Sequence, residues 1–154
     1  MYRGKVWFFL QKHSNKIING VILYHFIHKY VIDISYLEGS SMMPTFSDKG
    51  AIVLVDKFSF YFRNPKINEI ISFINPFDKS VLLCKRVTGV EGDKRSMKNG
   101  KVVEVSKNNV WVEGDNKYNS LDSRIFGAIH KKLINGRIFL QIYPSLKWRF
   151  NVHV

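Results

Sequence analysis

The sequence predicts a mainly β protein, built of coiled antiparallel sheets behind one N-terminal helix. Three features predict it. Past residue 50 the chain runs in short β-branched stretches separated by turn residues. A sustained helical period occurs only near the N-terminus, and Asn99-Gly100 is a two-residue hairpin signal. A chain of 154 residues suits one domain with an appendage, and 45% hydrophobic with 23% charged residues is a globular composition.

The N-terminal element comes first. It carries Arg3, Lys5, Lys12, Lys16 and Lys29, and all 12 acidic residues lie beyond position 32. The uncharged run 17–28 is shorter than the roughly 20 apolar residues that cross a bilayer. Leu23, Phe26, Ile27, Tyr30, Val31 and Ile34 share one helical face, while His25, Lys29 and Asp33 line another. Such an amphipathic helix has three placements open to it: flat in the membrane interface, packed on the domain, or spanning with its polar stripe toward a partner helix. In a span, Lys29 would snorkel or pair with Asp33, and the basic start would stay on the matrix or cytoplasmic side. The same acid-poor, aromatic start resembles a mitochondrial targeting signal, although it has few serines and arginines. Residues 1–35 are thus read as a targeting and anchor segment, and residues 36–154 as the domain.

Strands are expected at 51–55 (AIVLV), 69–74 (EIISFI), 81–87 (VLLCKRV), 101–105 (KVVEV), 110–112 (VWV) and 137–143 (RIFLQIY). Asn108-Asn109 is a second, weaker hairpin signal. The aromatic, basic stretch 59–65 (SFYFRNP) fits a loop that touches a membrane or one that packs its own rings. Cys84 is the only cysteine, which rules out an intrachain disulfide and a cysteine metal cluster. A net charge of +12 suits nucleic acid, an anionic membrane, or simply an AT-rich coding bias. No basic helix or zinc finger frames the surplus, so nucleic acid is the weakest of these partners.

Candidate chemistry begins in the turn EGSSMMPTF, residues 38–46, where Ser41 sits between a glycine and a proline. A plain connection would need only the glycine and the proline. Alternation along 81–87 puts Val81, Leu83, Lys85 and Val87 on one face, with Leu82, Cys84 and Arg86 on the other. A lysine held on an apolar face loses hydration of its charged form and can become a neutral base. The ordinary alternative is an edge lysine reaching water, while Arg86 suits solvent or a carboxylate. Residues 112–127 (VEGDNKYNSLDSRIFG) read first as a tight loop whose side chains satisfy its backbone, with Asp122 and Arg124 spaced to hold one another. Together these fit a serine nucleophile activated by an amine. A histidine triad fits less well, because His130 and His153 lack a paired acid and His25 and His28 lie in the helix. Metal-ligand spacing is missing, and TGVEGD lacks the lysine and hydroxyl of a phosphate loop.

Three segments, GSSMMPTF, KRVTGVEGD and EGDNKYNSLDSRIFG, resemble in order and spacing the boxes of type I signal peptidases, the membrane-bound serine-lysine endopeptidases. The resemblance spans residues 38 to about 144. CKRVTGVEGD, WVEGDN and GRIFLQIYP are similar to the mitochondrial inner membrane protease branch, of the catalytic subunit 1 type. Only 21 residues separate Asp93 from Asp115, leaving no room for the extra β domain of many bacterial members.

The resemblance implies Ser41 as nucleophile and Lys85 as general base, with no cofactor and no metal. Ser120 would hydrogen-bond the lysine, and Asp122 with Arg124 would form a supporting ion pair. Asp115 and Asn116 would belong to the same supporting loop, Met42 would shield the dyad and Pro44 would fix the turn. Gly39 stands where many bacterial members carry an oxyanion-hole serine; the Ser41 N–H remains as one donor, and the resemblance leaves the second donor open. Implied substrates are precursor proteins delivered to the mitochondrial intermembrane space, cut after a sorting segment by an inner-membrane protein with a second homologous subunit. A bacterial or plastid signal peptidase is the alternative of the same chemistry, and a non-catalytic partner subunit the alternative of another class.

Overall fold

The computed structural model describes the backbone of residues 3–149 and the side chains of residue 14 and residues 16–149. The side chains of Arg3, Lys5 and Lys12, and all of His153, lie outside the described residues.

Helix α1 (Arg3–Tyr30) carries His28 and Lys29 in its last turn, where positive charge suits the dipole. It stops earlier than the sequence pattern indicates. Val31, Asp33 and Ile34 fall outside it, and strand β1 (Ile32–Leu37) pairs antiparallel with β2 (Ala51–Asp56) over its whole length. The reason is local: Ile32 and Ile34 are β-branched, and alternation lets one face of this stretch join the sheet. Asp33 accordingly pairs with Lys57 (2.8 Å) and His28 (3.1 Å), not with Lys29. The expected division at 35/36 falls inside β1. Leu23, Phe26 and Ile27 of α1 are exposed, so that face is not packed on the domain. Among the described residues no helix is long and apolar enough to cross a membrane. Asn19, Gly20, His25 and His28 interrupt the apolar run of α1.

The expected β architecture is present. The main sheet continues through β3 (Ile70–Ile74), β4 (Leu82–Gly89), β7 (Asn109–Glu113), β8 (Ile129–His130) and β9 (Ile134–Tyr143), in the order β1-β2-β9-β3-β4-β7-β8. A short β10 (Lys147–Trp148) adds to β9. Register shifts where β9 meets β2 and β3 bend this long strand, coiling the sheet around two apolar clusters. One cluster holds Met42, Phe46, Val53, Val55 and Ile138; the other holds Ile71, Phe73, Val87, Val112 and Ile129.

β5 (Lys94–Ser96) and β6 (Val102–Glu104) form a separate hairpin, turning at the expected Asn99-Gly100. The second signal makes a turn and not a hairpin: Asn108 has φ 62, but β6 stays with β5 while β7 pairs with β4 and β8. Buried Val105 decides this, since its N–H and C=O bond Asp93 and Gly92 beneath β5. Short strands β8 and β10 lack enough residues for a visible alternation.

Candidate active site

Three pieces of chain converge at the end of β1. The first is a 3-10 turn, Ser40–Met42, opened by Gly39 at φ 105. A positive φ of that kind favours glycine, and nothing lies within 4 Å of where a Gly39 side chain would start. Met42, 3% exposed, inserts from the turn into the first apolar cluster and pins it to the sheet.

The second piece is β4. Lys85 pairs in register with Ile71 and is 3% exposed. Its Nζ lies 2.8 Å from Ser41 Oγ and donates to the Cys84 carbonyl at 2.9 Å. Burial holds the Lys85 amine below its ordinary value of 10.5, only partly opposed by the Asp122 and Asp115 carboxylates. On the strand's other face Arg86 is largely covered and bonds the Asn68 carbonyl and Asp115. Burial also pushes the neighbouring Cys84 thiol up to about 12, so it stays neutral and offers no competing thiolate.

Loop 114–122 is the third piece, and it straps the serine turn in place. Asn116 donates its backbone N–H to Ser41 O (3.0 Å) and its Nδ2 to Ser40 O (3.1 Å). Asp115 accepts two bonds from Arg86, both 2.8 Å, and one from Thr45 Oγ1 at 2.5 Å. Asp122 is fully buried and takes Arg124 on both oxygens, with the Gly114 N–H at 2.9 Å. Burial opposes its ionisation, but these donors and Ser120 outweigh that and keep its carboxyl below the usual range.

Ser41, Lys85, Gly39, Met42, Asp115, Asn116, Asp122 and Arg124, all singled out from sequence, meet here in direct bonds or in one packed turn, which Pro44 follows. Ser120 does less than expected: it makes no bond to Lys85, whose second contact is the Cys84 carbonyl. Its Oγ is buried against Gly114 without a hydrogen bond of normal geometry, though near enough to help hold Asp122 ionised. Several partners went unnoticed in the sequence: Thr45, Gly114 and Asn119, whose Nδ2 bonds Ser40 Oγ at 2.7 Å. For Gly114 a signal existed, as a glycine between a strand and an Asp-Asn pair marks close backbone approach.

That approach makes a test. A Cβ on Gly114 would sit 2.5 Å from Ser41 O and 2.2 Å from Ser120 Oγ. Gly114→Ala is expected to cost about 1–3 kcal/mol of stability through overpacking. By displacing the serine turn it should also lower turnover roughly a hundredfold. Adding Ser120→Gly should not restore activity, because the Ser41 carbonyl clash remains; thermal melts and peptide cleavage of both variants check this.

A small cavity of about 110 Å³ opens beside Ser41 and Lys85, walled by Tyr36, Gly39, Met42, Phe46, Leu82 and Leu83. The second edge of β4 is unpaired there, since β7 bonds β4 only from Arg86 onward. A hydroxyl against a buried amine, beside an open strand edge and a pocket, is equipped for nucleophilic attack on an extended chain.

Comparison with known proteins agrees with this class. Residues 10–104 and 101–143 match the family described as signal peptidase, peptidase S26. The chain is 32% identical over 132 residues to the mitochondrial inner membrane protease subunit 1 of Schizosaccharomyces pombe, covering 83% of this chain and 84% of that protein. It is 38% identical over 131 residues to subunit 1 of the mouse protease, Mus musculus, covering 82% and 78%. Subunit 2 of the S. pombe protease is 32% identical over 124 residues, covering 77% and 69%. A solved signal peptidase I from Enterococcus faecalis aligns at 20% identity and a TM-score of 0.41, over 49% of this chain and 97% of that one. This chain therefore belongs to the signal peptidase family, peptidase S26, and is a serine endopeptidase of the signal-peptidase type.

Proposed function

We propose that this protein is the catalytic subunit of a mitochondrial inner membrane protease, with Ser41 as nucleophile and Lys85 as general base. The observation that carries the mechanism is the 2.8 Å approach of a buried, pKa-depressed amine to the serine hydroxyl. Neutral Lys85 Nζ takes the Ser41 proton as Oγ attacks the scissile carbonyl carbon. The tetrahedral intermediate collapses as Lys85 returns the proton to the departing nitrogen, the new amine leaves neutral, and an acyl-serine remains beside a neutral Lys85. Water then gives a proton to Lys85 as it attacks the ester, and Ser41 recovers its proton on leaving.

The Ser41 N–H is the proposed oxyanion donor. Gly39 contributes no hydroxyl, and a missing second donor is worth about 3 kcal/mol in the transition state. Asn116, Asn119 and the Asp115–Arg86 pair hold the turn, and Asp122–Arg124 holds the loop that holds them. The substrate is a precursor protein whose extended segment pairs along the free edge of Leu82–Lys85.

Location and assembly rest on the relatives. Their names place them at the mitochondrial inner membrane and divide them into subunits 1 and 2. By extension this chain acts there with a homologous second subunit, its sheet domain from Ile32 onward facing the intermembrane space and α1 serving as the membrane segment. The presence of both Ser41 and Lys85 supports a catalytic over a purely binding subunit.

The test is cleavage of a precursor peptide panel by membrane-reconstituted protein, with and without a second subunit. Wild type should cut after one class of sorting segment, and Ser41→Ala should not. Cutting that survives Ser41→Ala would remove the proposed mechanism, and plastid-only import of the full chain would remove the location.

A further inference from the structure

Away from Ser41, a cavity of about 310 Å³ opens where α1 meets the sheet, lined in part by Lys29, Lys57, Tyr61, Lys131, Lys132 and Asn135. Four lysines thus reach one cleft from three separate places: the last turn of α1, the turn after β2, and the approach to β9. Of these four, Lys57 is neutralised by Asp33 at 2.8 Å. Lys131 donates to the neutral Asn64 amide at 3.2 Å, and among the described residues no salt bridge engages Lys29, Lys131 or Lys132. Gathered ammonium groups repel one another and attract an anion.

The surroundings say where that anion comes from. Phe58, Tyr61 and Phe62 stand exposed beside the cleft, Phe62 at 76%. Ile22 and Phe26, both exposed, precede Lys29 at i−7 and i−3 on its own face of α1. Apolar side chains that enter an acyl region next to lysines at headgroup level are the composition of an anionic membrane surface site.

We propose that this cleft binds the phosphate of an anionic phospholipid and seats the domain on the membrane at the root of α1. β1 and β2 run from the cleft to the serine turn, so the bound headgroup sets the height of the site above the bilayer. Six residues of β1, about 20 Å of strand, separate the headgroup cleft from the serine turn.

Lipid retention by the full chain, purified in a neutral detergent and followed by native mass spectrometry, tests this. Phosphatidylglycerol should be retained over phosphatidylcholine. Lys131→Gln/Lys132→Gln should weaken retention about twenty-fivefold, at roughly fivefold per lysine near an anionic surface. The exposed pair Lys101→Gln/Lys107→Gln removes the same charge elsewhere and should leave retention unchanged. Equal retention of the two lipids, or equal losses in both double variants, would overturn the proposal. Displacement by inorganic phosphate at matching concentration would overturn it in favour of a soluble anion. Because the readout is lipid and not cleavage, the result is independent of the Ser41–Lys85 mechanism.

Discussion

Lys85→Met is expected to lower kcat for precursor cleavage by about ten-thousand-fold while the protein stays folded. The amine is the group within reach of the Ser41 hydroxyl, and methionine keeps the apolar stem but cannot take a proton. Ser41→Ala should fall equally far, and the double variant no further, because two groups acting on one proton transfer are not additive. Activity retained in Lys85→Met would mean that some other group removes the serine proton.

The same residue sets the pH response. Folding lowers the Lys85 pKa below 10.5, so between the folded value and 10.5 the unfolded chain binds a proton that the folded chain does not. Stability therefore rises with pH across that window, and below the folded value the buried ammonium is a constant cost. Cleavage should follow the same group, rising with pH as Lys85 becomes neutral and levelling off below the usual lysine range. Lys85→Met should be at least as stable as wild type at pH 7 and should lose the stability gain across the window. Denaturant melts at several pH values, alongside pH–rate profiles of wild type, check both. An acidic limb that persists unchanged at the ordinary lysine value would contradict a buried base.

Asp122→Ala should be strongly destabilising, at about 3 kcal/mol, because it leaves the half-buried Arg124 guanidinium and two N–H groups without their buried acceptor. Asp122 is fully buried and carries the Arg124 guanidinium and the N–H groups of Gly114 and Arg124. In a domain of this size that loss lowers Tm by about 10 °C. Asp122→Asn keeps the shape and one acceptor and should lose less. Calorimetry of the two variants measures the difference. A shift under 2 °C for Asp122→Ala would mean that Arg124 is fully resolvated and the pair holds nothing, the threshold being about one kcal/mol at this size.

How far this could be foreseen differs from element to element. Ser41 and Lys85 were legible because their signals are local: turn residues around one, strand alternation around the other. Strands β2, β3, β4, β7 and β9 were legible for the same reason. β1 was misread as helix, since Leu23 to Ile34 satisfies a 3.6-residue period while Ile32 to Leu37 also satisfies a two-residue one. Only a partner strand could choose between them. The bonds that tie loop to turn join residues 70, 76 and 79 positions apart, and no local pattern records such pairs.

The sequence by itself therefore determined the β class, the serine turn, the lysine on an apolar face and the family to which the chain belongs. Each of these is written in neighbouring residues, through backbone preference or side-chain alternation. The tertiary structure alone decided where α1 ends, that Lys85 comes within hydrogen-bond distance of Ser41, that Arg86 and Asp115 brace the turn, and that four lysines share one cleft. Those outcomes depend on which strands pair and in what register, a choice made by the burial of distant apolar faces against one another.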